Sequence, residues 1–328
     1  MPRSLLIALV GLALCGAKAE ARFDGFNVIT VPGHPFGSPS AAQSLREAKI
    51  AGATTVAIIP FLWQATPGGG HIERGTDMSD AELRLAIRDA HALSLAVVVK
   101  PHVWMPGSWA GMVEPDSDAA WASWFADYTR EIEHLAKIAA EEKADVFAIG
   151  TELAKTSSRP EWKKVIAAAR AQFSGRLVYF AHDIDEAERV PFWTSLDVVG
   201  VTLYPPLGAD DDRAGRQATM RAVADRLDAL SQHAGKPILV GEIGLRSAMG
   251  AAARPWESAE ERTTLPAPSL QADVLSDWLV ALKRPSIEGV LVWRWFTNPA
   301  AGGVSDTDFT VQGKPAQSRL TCAWTGAC

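Results

Sequence analysis

Two glutamates hold equivalent places in this sequence. Asp145-Val146-Phe147-Ala148-Ile149-Gly150-Thr151-Glu152-Leu153 is a short apolar run that stops at Thr151-Glu152. Pro237-Ile238-Leu239-Val240-Gly241-Glu242-Ile243-Gly244 repeats the design further along. A β-capable run without alternation is the pattern of a strand buried on both faces, so each carboxylate sits where a strand leaves the core. Two carboxylates over one sugar linkage are sufficient for glycosidic cleavage: one attacks or stabilises the anomeric carbon, the other protonates the leaving oxygen. A separation of about 5 Å predicts retention of configuration through a covalent glycosyl-enzyme, and about 6.5–9.5 Å predicts inversion. Repulsion between the two charges is expected to raise one carboxyl toward neutrality and make it the acid. A single Glu after a strand is as readily an ion-paired surface group. Two, each closing an apolar run, favour chemistry.

Such a pair needs a scaffold that gathers strand ends. Apolar runs over 23–28, 54–59, 95–99, 177–180, 196–201 and 289–295 join the two already named, making eight strand candidates. Helical patterns alternate with them. Ser40-Ala41-Ala42-Gln43 has the capping-box pattern, opening a helix to about Ala51 with Gly52 near its stop, and Ser79-Asp80-Ala81-Glu82 opens another. Trp121, Trp124, Phe125, Tyr128, Ile132 and Leu135 fall on one stripe of a long third helix and read as core. Further helices are expected over 162–171, 216–233 and 271–282. Alternating strands and helices imply a parallel sheet, and eight strands close a (β/α)8 TIM barrel whose sites lie at the strand ends. An open doubly wound sheet would carry a Gly-rich phosphate turn after the first strand, and Gly25-Phe26-Asn27-Val28 is not one. The 328 residues suit one such domain.

Other strand-end residues are candidates for substrate contact: Trp63, His102, Trp104, Thr151, His182, Tyr204, Trp293 and Trp295. The chain has 12 Trp against 3 Tyr, and an indole plane suits the apolar face of a sugar ring. His102 reads equally as a donor to a sugar or carboxylate and as a satisfied structural group. Trp293 and Trp295 share strand parity, so both or neither should face the site. A net charge of −6 without a basic run argues against nucleic acid or an anionic membrane as partner. No His/Cys/Asp cluster has metal-ligand spacing, so neither metal nor organic cofactor is expected.

The N-terminus reads as an export signal over 1–19. Arg3 precedes an apolar run, Leu5 to Cys15, too short to span a bilayer, and Ala17-Lys18-Ala19 offers a cleavage site. The mature chain, 20–328, is expected outside the cytoplasm (periplasmic or extracellular), monomeric and without stable membrane insertion. It keeps only Cys322 and Cys328, an even pair that predicts a small terminal disulfide.

Ile149-Gly150-Thr151-Glu152-Leu153 and Val240-Gly241-Glu242-Ile243-Gly244 resemble the fourth- and seventh-strand ends of clan A retaining glycoside hydrolases. With Lys100-Pro101-His102-Val103-Trp104, Trp293-Arg294-Trp295-Phe296 and above all Ser305-Asp306-Thr307-Asp308-Phe309-Thr310-Val311-Gln312-Gly313-Lys314-Pro315-Ala316, the chain resembles glycoside hydrolase family 113 from its second strand to Ala316. The resemblance implies endo-β-1,4-mannanase activity, with Glu152 as acid/base and Glu242 as nucleophile. It also implies a Tyr204 that hydrogen-bonds the nucleophile, although a Tyr packed under Pro205-Pro206 is the alternative. Clan members usually place Asn before the acid/base to reach the sugar 2-hydroxyl. Here Thr151 stands there with a shorter side chain, leaving the choice between gluco and manno sugars unset. Asp306 and Asp308 either bind substrate or cap their loop. The rival readings are a non-catalytic carbohydrate-binding barrel, a clan A enzyme for another β-glycan, and a metal-dependent hydrolase that chelators would inhibit.

Overall fold

A computed structural model describes residues 22–328. The export signal expected over 1–19 lies outside the described residues. Eight parallel strands, β1 (Gly25–Ile29), β2 (Thr55–Ile58), β3 (Ala96–Val99), β4 (Val146–Thr151), β5 (Arg176–His182), β6 (Val198–Leu203), β7 (Ile238–Ile243) and β8 (Ile287–Phe296), close into a barrel in sequence order. β8 returns to pair with β1. The helices are α1 (Pro39–Ile50), α2 (Asp80–Ala92), α3 (Asp118–Glu141), α4 (Trp162–Gln172), α5 (Asp183–Ala187), α6 (Arg213–Ala234), α7 (Pro268–Ala281) and α8 (Pro315–Thr325). This is the (β/α)8 fold expected from the alternation.

Local signals explain most boundaries. Ser79 caps α2: its hydroxyl accepts from Glu82 N at 3.3 Å while the Glu82 carboxylate takes Ser79 N at 2.6 Å. The box read at Ser40 is displaced. Ser38 is the cap, accepting from Ala41 N at 3.2 Å, because Pro39 presets the first helical φ and starts the helix earlier. In α3, Trp124, Phe125, Tyr128, Ile132 and Leu135 are buried as a stripe, with Trp121 packed at its edge.

The barrel wall is apolar on both faces. Outward residues pack under the helices, and Val98, Val146, Ala148, Val178, Phe180, Val198, Leu239 and Leu291 fill the interior. Burying each such side chain contributes about 1.5–3 kcal/mol, which is why these strands show no alternation. Gly25 marks the closest approach of β1 to β2, where an added Cβ would stand 1.8 Å from Thr55 O.

The strand alternation does not anticipate a second sheet on the rim. Phe61–Trp63 and His102–Met105 run parallel, flanked by Glu73–Arg74 and Ser108–Trp109. Cys322 and Cys328 form a disulfide at the end of α8. No helix of the described residues is long and apolar enough to cross a membrane.

Candidate active site

Glu152 follows β4 and Glu242 lies on β7, both at the mouth where the strands end. β6 stands beside β7 and, with β5, spans the way back to β4, and alternate residues at its end hold one carboxylate each. Thr202 Oγ1 donates to Glu152 Oε1 at 2.6 Å, and Tyr204 OH donates to Glu242 Oε2 at 2.7 Å. In register, Thr202 is level with His182 on β5 and Glu242 on β7.

Glu242 is nearly buried. Its Oε1 accepts from Lys100 Nζ, an ammonium with no exposed surface. Lys100 also donates to Asn27 Oδ1 at 2.9 Å, and Asn27 Nδ2 donates to Gly241 O at 2.9 Å. The ammonium caps the interior plug, 5.2 Å from the Phe180 ring and 5.7 Å from Trp293. Both oxygens of Glu242 are thus fixed in direction, and its charge is faced by a cation. Burial pushes the Tyr204 hydroxyl well above the ordinary phenol range, and the Glu242 charge adds to the effect, so it remains a donor.

Glu152 turns out of its strand with φ +56°, a left-handed conformation in a residue other than glycine, and its N donates to Phe180 O at 2.7 Å. Such a backbone costs on the order of 1–3 kcal/mol and concentrates at functional positions. His182 Nδ1 lies 3.1 Å from Oε1, and His102 Nε2 lies 3.6 Å from Oε2. Burial alone would raise the Glu152 carboxyl, but the hydrogen bonds from His102 and His182 outweigh it and hold the group well below the usual carboxylate range. This corrects the expectation that repulsion raises one carboxyl of the pair: His102, read above as a possible donor to a carboxylate, and His182, not so read, set the charge of Glu152 instead. His182 moves the other way. Burial opposes its charge, yet Glu152 brings it up to about 9. Asp183, beside it at φ +54°, is pushed up to about 6 by burial.

Trp63, Trp104 and Trp109 are exposed and consecutive across the rim sheet, Trp63 opposite Trp104 and Trp104 opposite Trp109. The Trp109 ring covers His182 at 4.5 Å. Trp293 is half-buried over the plug and faces the mouth. Trp295 does not: it is fully buried outside the barrel against Phe26 at 4.7 Å, its indole donating to Ser44 Oγ at 2.8 Å. The parity expectation fails because β8 carries an extra residue opposite β1, where Phe26 pairs with Val292 but Val28 with Trp295. Thr151 is also buried, its hydroxyl donating to Pro101 O at 3.0 Å, so it ties β4 to the turn after β3 and is not offered to a sugar. Asp306 and Asp308 are held by Lys314 at 2.8 Å and Arg294 at 2.6 Å, which makes them parts of the loop.

Lys100, Asn27, Thr202, Asp183 and Trp109 were missed as site residues. Lys100 and Asn27 could have been suspected, because a cation and an amide inside apolar runs must find partners. Trp109 had no such mark. Among the described residues, no group of three His, Cys, Asp or Glu is placed to hold a metal ion.

A closed eight-stranded barrel with two buried, differently partnered carboxylates at one mouth is the architecture of a (β/α)8 glycoside hydrolase. The family model described as Glycoside Hydrolase Family 113 matches residues 26–314, and the chain belongs to that family. It is thus a retaining glycoside hydrolase acting by double displacement, as the clan implies. The β-mannanase of that family from Alicyclobacillus acidocaldarius is 23% identical, covers 94% of this chain and 98% of its own, and superposes with a TM-score of 0.82. A second family 113 β-1,4-mannanase is 25% identical over 93% of this chain and 99% of its own, also at 0.82. A family 5 protein from Streptomyces cattleya, solved with Manβ1-4GlcNAc, shares the fold at 15% identity and a TM-score of 0.64, over 93% of this chain and 80% of its own. Comparison with curated proteins found no match.

Proposed function

We propose that this chain is an exported, monomeric endo-β-1,4-mannanase in which Glu242 is the nucleophile and Glu152 the acid/base. The observation that carries the assignment of roles is the unequal company of the two carboxylates. Glu242 is fixed through both oxygens by Lys100 and Tyr204, as an attacking group must be. Glu152 is surrounded by groups that can exchange protons, His102 and His182. Glu152 donates to the leaving oxygen as Glu242 attacks the anomeric carbon, and then takes a proton from the water that releases the sugar. The mannan reading is supported by the two family 113 structures described above, each of a β-mannanase. An internal cleavage mode is supported by the row of exposed indoles, which offers room for several sugars along the rim.

Glu242→Ala and Glu152→Gln should each lower kcat on β-mannan by about 10³-fold or more with the far-ultraviolet circular dichroism unchanged, an estimate from the scale of positioned acid–base catalysis. Full activity in either variant ends the assignment. Proton NMR of the first product should show the β-anomer, and product sizing on mannan, glucan and xylan oligosaccharides separates the substrates.

A further inference from the structure

We propose that Glu152 and His182 hold the catalytic proton jointly, His182 being a positioning residue that stores it rather than a ligand for sugar. This rests on the reading of Glu152 as the acid/base. The geometry divides the labour between the two carboxylate oxygens. Oε1 receives His182 Nδ1 at 3.1 Å and Thr202 Oγ1 at 2.6 Å. Oε2 faces only His102 Nε2, at 3.6 Å. His102 Nδ1 is 3.0 Å from Val103 O, so its contact with Oε2 is through Nε2 alone and is the looser of the two imidazole contacts. In the neutral pair His182 keeps its Nδ1 hydrogen and has given up the one on Nε2, so Oε1 keeps its two donors and Oε2 carries the proton. Oε2 is the oxygen that serves the leaving group.

An ionised Glu152 is a poor acid, and the His182 contact keeps it ionised. The pair removes the contradiction. Glu152 protonated with His182 neutral, and Glu152 ionised with His182 charged, contain the same number of protons, so their ratio does not change with pH until the pair loses its proton. That loss falls at about 9, where Glu152, Asp183 and Glu186 hold the imidazolium against the cost of burial. The charged and titratable groups facing the pair are His102 after β3, Asp183 and Glu186 on α5, and Tyr204 and Glu242 across the mouth. Trp109 covers the imidazole at 4.5 Å and contributes no charge. When a glycan fills the mouth and expels water, separated charges become costlier and the ratio shifts toward the neutral pair, placing the proton on Glu152 as the substrate arrives.

The protons and electrons balance. In glycosylation Oε2 gives its proton to the glycosidic oxygen, that oxygen keeps the electron pair of the broken C–O bond, and a Glu242 oxygen bonds to the anomeric carbon. The pair is then one proton short. In the second half, water bonds to the anomeric carbon, its proton returns to the pair, and the electron pair of the glycosyl ester goes back to Glu242.

The experiment compares the pH dependence of kcat/KM on an unactivated β-linked oligosaccharide and on a 2,4-dinitrophenyl β-glycoside, whose leaving group needs no proton. In the wild type the basic limb on the oligosaccharide should lie near pH 9. His182→Asn keeps a donor to Oε1 but cannot carry a proton, and its limb should move to lower pH by at least one unit. At pH 9 that is about a tenfold or greater loss relative to its own plateau, where the wild type loses about half. The dinitrophenyl profile should not move. A limb that stays in place on the oligosaccharide overturns the pair. If His182→Asn does not fold, nitrogen-15 NMR of His182 in wild type and Glu152→Gln decides: its titration should fall by at least one unit in the variant, and an unmoved titration overturns the proposal. Glu152→Ala separates the two failures. Full activity on the oligosaccharide removes the acid/base reading itself. Loss on the oligosaccharide with the dinitrophenyl glycoside spared keeps that reading, so that an unmoved His182 limb then counts against the pair alone.

Discussion

At the level of single residues, the site works by giving two identical side chains different neighbours. Glu242 accepts from Lys100 and Tyr204, while Glu152 accepts from Thr202 and lies between two imidazoles. Tyr204 and Thr202 are alternate residues of one strand end, so a displacement of β6 would disturb both carboxylates together. Tyr204→Phe removes one hydrogen bond to a charged acceptor, worth about 1.5–3 kcal/mol, so kcat should fall by about 10- to 100-fold. KM should change little if Glu242 is the nucleophile, because the phenol is bonded to Glu242. A rise in KM with kcat intact would mean that Tyr204 binds substrate instead. Lys100 is the other residue on which Glu242 depends. It is the cation that a buried carboxylate needs, and Asn27 on β1 keeps it in place.

At the level of elements, the barrel positions the two carboxylates and the rim sheet sets a row of exposed indoles beside them. His102 begins the strand His102–Met105 and touches Glu152, while Trp104 on the same strand stands exposed beside Trp63 with ring centroids 6.4 Å apart. One short strand therefore joins Glu152 to the aromatic row. Trp104→Ala should lower kcat/KM on long oligosaccharides by about tenfold, equivalent to 1.4 kcal/mol of lost contact, and leave a short chromogenic glycoside unaffected. Equal losses on long and short substrates would place Trp104 at the reacting sugar. Barrel closure sets a second constraint at this scale. Gly25→Ala sets a methyl against the Thr55 carbonyl of the neighbouring strand, a backbone atom that cannot step aside. It should destabilise by about 1–3 kcal/mol, read as a lower midpoint in urea.

At the level of the whole molecule, the most recognisable motif turns out to be a strap. In Ser305–Ala316, the buried Lys314 donates to Ser247 Oγ at 2.7 Å, Asp306 Oδ1 at 2.8 Å and Asp308 O at 2.8 Å. Gln312 takes Phe296 N at 2.7 Å and returns a bond to Phe296 O at 3.2 Å. These contacts tie the segment after β8 to the loop after β7 and so brace the wall that carries Glu242 and Trp293. Lys314→Met keeps the length of the stem but leaves three acceptors without their donor. It should cost about 2–3 kcal/mol, discounted because Asp306 is partly exposed, and lower Tm by several degrees while Glu242 and Glu152 remain in place. Unchanged Tm would show that the strap carries no stability.

The sequence by itself determined the barrel, because eight apolar runs without alternation can be buried on both faces in few other ways. It also determined the two carboxylates at the strand ends, since each closes such a run, and the family, through motifs that survive as written. It did not determine which neighbours each carboxylate would meet. His182 and Glu152 lie on separate strands, and a contact across a closed sheet depends on register and tilt that no local pattern encodes. The same reason explains Trp295, which an extra residue in β8 turned to the outside, and Thr151, whose hydroxyl found Pro101 first. Residue types and their order along a strand are local properties. The protonation of an acid depends on everything within a few ångströms of it, and only the closed barrel brings those groups together.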